Sequence, residues 1–199
     1  MDFKRFIFGV IIFVTIDLAF TTIAVQSASP NDAIGSLRPI GSITPKVAQL
    51  LTVGAAVAFV PILVLRKVSP ELALSALVFT PLLDADHLPV MLGIPQPIRP
   101  AHSFVFMVVV ASAIYLFIRR LDIALVAVSA TMMHLAADSP SFPLISPLSV
   151  ELYKLGTLEH SALLGGSILI AVTSGYVARK KRDQIQDSPE LSAMSSSPK

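Results

Sequence analysis

The chain has 199 residues, of which 54% are hydrophobic and 14% charged, against about 25% charged in an ordinary soluble domain. With a mean hydropathy of +0.75 and a net charge of only +2, these figures exclude a disordered chain, a nucleic-acid-binding domain and a typical cytosolic enzyme. The absence of cysteine excludes disulfides and thiolate metal sites.

Six apolar stretches approach the roughly 20 residues that a spanning helix needs. They run from Phe6 to Val25, from Val47 to Leu65, from Pro70 to about Met91, from Ala101 to Ile118, from Asp122 to Asp138, and from Leu158 to Val177. The reading is an all-α polytopic membrane protein of six helices with both termini inside. Residues 1–182 form one helical domain, 26–46 an outer loop, and 183–199 a polar, Ser-rich cytoplasmic tail. The basic start and the small residues near Ser27 would also suit a signal peptide, but the long apolar run favours a retained helix. Orientation follows from the excess of Lys and Arg in cytoplasmic loops. Eleven of the 15 basic residues fall inside, among them Lys4, Arg5, Arg119, Arg120 and the run Arg179–Arg182, and only Arg38, Lys46, Arg99 and Lys154 fall outside.

All four histidines then lie in the outer half. At 1.5 Å per residue, Asp84 stands about 21 Å above Pro70 and His87 about 26 Å. Counting back from Arg119 places His102 at about 26 Å, and counting on from Arg120 places His134 at about 21 Å and Asp138 at about 27 Å. His160 opens the last segment at a similar height. Asp84 and His87 are three apart, and His134 and Asp138 four apart, so each pair shares a helix face. Ionisable groups at this depth cost several kcal/mol unless paired, hydrated or bound to a cation. A divalent metal suits Asp84, His87, His134 and Asp138, with Asp86 close by. Zinc is the first expectation for a mixed His and carboxylate set, with manganese or iron as alternatives. Asp17, in the middle of the first segment, is a further intramembrane carboxylate; a protonated Asp bonded to a neighbouring helix is the simpler reading. Gly54 to Ala56 and Gly165–Gly166 read as close helix contacts.

The strings LLDADHLP (82–89), RPAHSF (99–104) and HLAADSPSFPLISPLS (134–149) resemble the YdjM-type family of LexA-binding, inner-membrane-associated metal-dependent hydrolases. That family's pattern is P-D-x-D-H, then H-R-G-x-T-H-S, then H-x-x-x-D. The match carries over Asp84, Asp86, His87, His102, Ser103, His134 and Asp138. The chain departs from the pattern at Pro97, where the family has a histidine, at Ala101 in place of threonine, and at Pro81, displaced from its place before the first aspartate. The family's early histidine has no counterpart.

The resemblance implies a membrane-bound hydrolase of the inner membrane, a reaction class without a substrate; the depth of the site makes a lipid head group or phosphoester the natural one. The metal ligands would be Asp84, His87, His102, His134 and Asp138. His102 would be a ligand or the general acid, and Asp86 or Glu159 the base. Arg99 would hold an anionic group. Ser103 reads as a helix cap rather than a nucleophile. The competing expectation is a non-catalytic accessory subunit of a membrane complex, its cluster holding a structural metal. Membrane lipid and other membrane-protein subunits are the expected partners, and no nucleic acid. A transporter is a weaker third reading, because paired broken helices are not evident.

Overall fold

The computed structural model describes residues 3–27, 53–57, 60, 70–87, 99–138, 141–149 and 151–186. Most of the second apolar stretch, the outer loop and the end of the tail therefore lie outside the described residues. The chain is mostly helical. Helix α1 covers Phe3–Ser27, α2 covers Pro70–Leu82, α3 covers Phe104–Ile118, α4 covers Leu121–Asp138 and α5 covers Thr157–Gln186. Residues 53–57 form a further helical stretch. Two short strands, β1 (Ser141–Pro143) and β2 (Leu152–Lys154), pair antiparallel with Phe142 opposite Tyr153. This small sheet is an addition to the expected all-helical architecture.

Local chemistry sets the boundaries. Pro70 opens α2, where its fixed φ suits the first helical position, and Glu71 follows in the first turn. Near the other end Pro81 supplies no backbone N–H, and the chain tightens into a 3₁₀ turn over Leu83–His87. Ser103 caps α3: its Oγ accepts the Phe106 N–H at 3.1 Å. Arg119 ends α3 in the left-handed region (φ 58°), its N–H bonded to the Tyr115 carbonyl at 2.9 Å. Only Arg119 and Arg120 separate α3 from α4, so the two form an antiparallel hairpin. The start of α3 and the end of α4 therefore lie at the same end of the bundle. Helix α5 continues beyond the basic run to Gln186, into the stretch read from sequence as tail.

Helix α4 is central, with α5 on one side and α2 and α3 on the other; α1 lies across α2 and α3. Phe13 of α1 stacks on Phe79 of α2 (5.3 Å, 11°) and meets Phe106 of α3 edge-on (5.3 Å, 77°). Helix α1 is thus built into the core. Small residues bring α4 and α5 together. The Ser129 hydroxyl donates to the Ser167 carbonyl (2.8 Å) and the Ser167 hydroxyl to the Ser129 carbonyl (3.0 Å). A Cβ on Gly166 would meet Met132 Cε at 2.8 Å, whereas one on Gly165 would meet nothing within 4 Å.

At the turn between α3 and α4, Arg120 reaches Asp122 through Nε (2.9 Å) and Nη2 (2.7 Å), and Glu71 at the start of α2 through Nη2 (2.9 Å). That clamp fixes α2 in register beside the hairpin. Its far end then delivers the 3₁₀ turn to the level of His102 and His134.

Helices α1 and α5 are long and apolar enough to cross a membrane, while α3 and α4 are shorter apolar helices. Their uncovered faces are apolar as well. On α1 these include Ile7, Phe8, Ile11, Leu18 and Ile23; on α5, Leu158, Ile168, Leu169 and Tyr176. Two threonines on those faces turn their hydroxyls inward: Thr22 donates to the Leu18 carbonyl (2.7 Å) and Thr173 to the Leu169 carbonyl (2.8 Å). A hydroxyl satisfied by its own helix has no need of water.

A candidate metal centre at one end of the bundle

Three elements each bring one donor to a single point. Asp84 comes from the 3₁₀ turn, His102 from the turn before α3 and His134 from the last turns of α4. The two Nε2 atoms stand 3.2 Å apart, and each is 3.6 Å from Asp84 Oδ1. Two ligands of a tetrahedral ion with bonds of about 2.0–2.1 Å are about 3.3 Å apart. A triangle with the measured sides has a centre about 2.0 Å from all three atoms, the bond length that a zinc-sized ion makes to nitrogen or carboxylate oxygen. The donor set, two imidazole nitrogens and one carboxylate oxygen, suits such an ion.

Burial and second contacts orient the ligands. His134 is wholly buried and His102 is 2% exposed, while Asp84 is 17% exposed. His134 Nδ1 lies 2.8 Å from the Thr80 carbonyl. A carbonyl only accepts, so Nδ1 carries a proton, and in a neutral ring the Nε2 lone pair then faces His102 and Asp84. The Thr80 carbonyl is among the last four of α2, which have no ordinary helical partner. Thr80 is held in turn by its hydroxyl, which donates to the Ala76 carbonyl at 2.8 Å. His102 is placed by its backbone, whose N–H donates to the Arg99 carbonyl at 3.1 Å, and by the Ser103 cap that follows it. The rings of His102 and His134 meet edge-on at 5.0 Å. The Arg99 guanidinium donates to Asp84 Oδ1, the oxygen that also faces both imidazoles.

The stretch after α4 folds back on this end. The Phe104 N–H donates to the Leu144 carbonyl (3.1 Å) and the Ser103 hydroxyl to the Ser146 carbonyl (3.0 Å). Phe142 packs edge-on against Phe104 at 5.6 Å. The β1–β2 hairpin is thereby tied to the residues next to His102.

Of the residues read from sequence as ligands, Asp84, His102 and His134 come together. His87 closes the 3₁₀ turn and Asp138 closes α4, but their side chains, and that of Asp86, lie outside the described residues. Glu159 sits exposed in the first turn of α5, against Gly156, and is not in the group. Ser103 is the cap the sequence suggested. The sequence reading places His102 inside a span beginning at Ala101, as a ligand or general acid; in the structure it stands ahead of α3, which begins at Phe104. The serine immediately after it was the available signal. The Thr80 carbonyl was missed altogether; Pro81, which marks a helix about to end, was the clue to free carbonyls there. No family model, curated protein or solved structure matches this chain.

Proposed function

We propose that the chain is a polytopic membrane protein whose Asp84, His102 and His134 hold one divalent metal, and that it is a metal-dependent hydrolase acting at the outer membrane face. The observation that carries this reading is the triangle of donor atoms, with sides matching a single small ion. When bound, such an ion supplies a Lewis acid and lowers the pKa of a water towards neutrality. Asp84 and the two histidines position the ion. Arg99, beside Asp84 and part-exposed, offers a guanidinium to an anionic group such as a phosphoester. Six spans with both termini inside, as the basic residues suggest, would place the site near the outer edge of the hydrocarbon.

The test is metal content. Purified protein equilibrated with Zn(II) and desalted should retain about one ion per chain, by the donor count of one site. Asp84→Ala and His134→Ala should each lose most of it. Equal metal in all three proteins would remove the assignment, and no thiolate could supply residual binding because the chain has no cysteine.

A second reading is favoured by burial. Both imidazoles are almost completely enclosed, which suits a structural ion in a non-catalytic subunit of a larger membrane complex. Hydrolysis of generic nitrophenyl phosphodiesters and esters separates the two. Turnover lost in Asp84→Ala supports the hydrolase, and metal retention without turnover supports the structural role.

A further inference from the structure

The β1–β2 hairpin carries apolar side chains that the fold leaves uncovered. Leu148 at its tip is 81% exposed, and Ile145, Leu152 and Tyr153 are exposed beside it. Contiguous apolar patches of this kind mark contact surfaces. Leu158, in the first turn of α5 four residues after Lys154, is 80% exposed. From there the uncovered face of α5 runs through Ile168 and Leu169 to Tyr176. The distance from Leu158 to Tyr176 is about 27 Å along the helix axis, against a hydrocarbon thickness of about 30 Å. The basic run Arg179–Arg182 begins directly below. If α5 spans, Leu158 stands at the outer edge of the hydrocarbon and the hairpin, which ends three residues before Thr157, lies in the head-group layer. Its composition fits that layer: leucine and isoleucine beside Tyr153 and an exposed Lys154, rather than the all-apolar surface of a spanning segment.

We propose that the hairpin is an interfacial anchor that docks in the outer lipid head-group layer and holds the metal centre at that depth, so that the site takes the ester or phosphoester of a membrane amphiphile. This rests on the membrane reading above. The occupant is lipid because β2 leads within three residues into α5, whose exposed Leu158, Ile168, Leu169 and Tyr176 would face lipid if that helix spans. The link to the site is covalent and hydrogen-bonded: Leu144 and Ser146 hold the backbone of Phe104 and the hydroxyl of Ser103, immediately after His102. A shift of the hairpin in depth therefore shifts the first turn of α3 and its histidine.

The chain has no tryptophan, so one introduced indole reports its own surroundings. Leu148→Trp and Leu169→Trp, each in the full-length protein, are reconstituted into phosphatidylcholine vesicles brominated either near the head group or deep in the acyl chain. Leu148→Trp should emit at short wavelength and lose roughly half its emission to shallow bromine, with little loss to deep bromine, as an interfacial residue does. Leu169→Trp should respond most to deep bromine. If Leu148→Trp emits as in water and is quenched by acrylamide alone, while Leu169→Trp responds to deep bromine, the anchor is wrong and the span survives. A Leu148→Trp signal at short wavelength that neither bromine nor acrylamide reaches indicates a protein partner and also overturns the proposal. If Leu169→Trp is itself quenched by acrylamide, the membrane reading falls and takes the anchor with it.

Discussion

His134 shows how one backbone carbonyl decides the chemistry of a ring. Because the His134 Nδ1–H donates to the Thr80 carbonyl, Nε2 is left to face Asp84 and His102. Arg120 does comparable work at the other end of the bundle. It grips both carboxylate oxygens of the buried Asp122 and one of Glu71. The hydrogen bonds to Asp122 raise the Arg120 pKa further above its ordinary high value, against a burial effect that works the other way. A raised folded-state pKa means the contribution is present below the unfolded arginine value, which covers every working pH, so the clamp does not open by losing this proton. Removing the side chain is different, because Asp122 would stay buried without its fork. Arg120→Ala should cost about 3 kcal/mol, read as a lowered thermal midpoint in detergent. Arg120→Lys should recover part of the loss, since an ammonium replaces the charge without the fork.

At the level of elements, two glycines that look alike in sequence carry different loads. A Cβ on Gly54 would stand 3.2 Å from the Ala76 carbonyl and from Thr80 Oγ1, and 3.3 Å from Leu77 Cα. Those atoms are backbone, or a hydroxyl committed to the Ala76 carbonyl, and they give way only if α2 moves. A Cβ on Gly166 meets the far end of Met132, a side chain that turns easily. Gly54→Ala should therefore destabilise by about 1–3 kcal/mol, and Gly166→Ala by much less, measured as paired thermal midpoints. Gly54→Ala should also weaken Zn(II) retention, because it presses on the turn whose carbonyl orients His134. Equal midpoints for the two variants would show that the helical stretch at 53–57 does not press on α2.

For the whole molecule, the question is which way the bundle sits. Without native cysteine, a single introduced cysteine maps topology. With both ends inside, Glu151→Cys on the hairpin should react with a membrane-impermeant maleimide in intact cells. Asp183→Cys at the end of α5 should react only after permeabilisation. The reverse pattern would place the candidate metal centre on the cytoplasmic side and remove the proposed outward-facing hydrolase. Labelling of both in intact cells would argue against α5 as a span.

Composition and hydrophobic run length, read from sequence, decided the helical character and the two long apolar helices, because a 20-residue apolar run has few other stable solutions. That Asp84, His102 and His134 lie near one level was also legible from counting along their segments at the helical rise. Ser103 as a cap followed from its place before an apolar run. Which donors meet was decided only by the tertiary structure. Spacing along one helix singled out Asp84 with His87 and His134 with Asp138. The bundle joins Asp84, His102 and His134 because the two-residue turn at Arg119–Arg120 folds α4 back on α3, and the Arg120 clamp sets the height of α2 beside them. Contacts between helices depend on rotation and crossing, and neither is written in the periodicity of any one segment. The sheet between β1 and β2 is legible only afterwards for the same reason: strands of three residues acquire stability from what they lie against, here Phe104 and the end of the bundle.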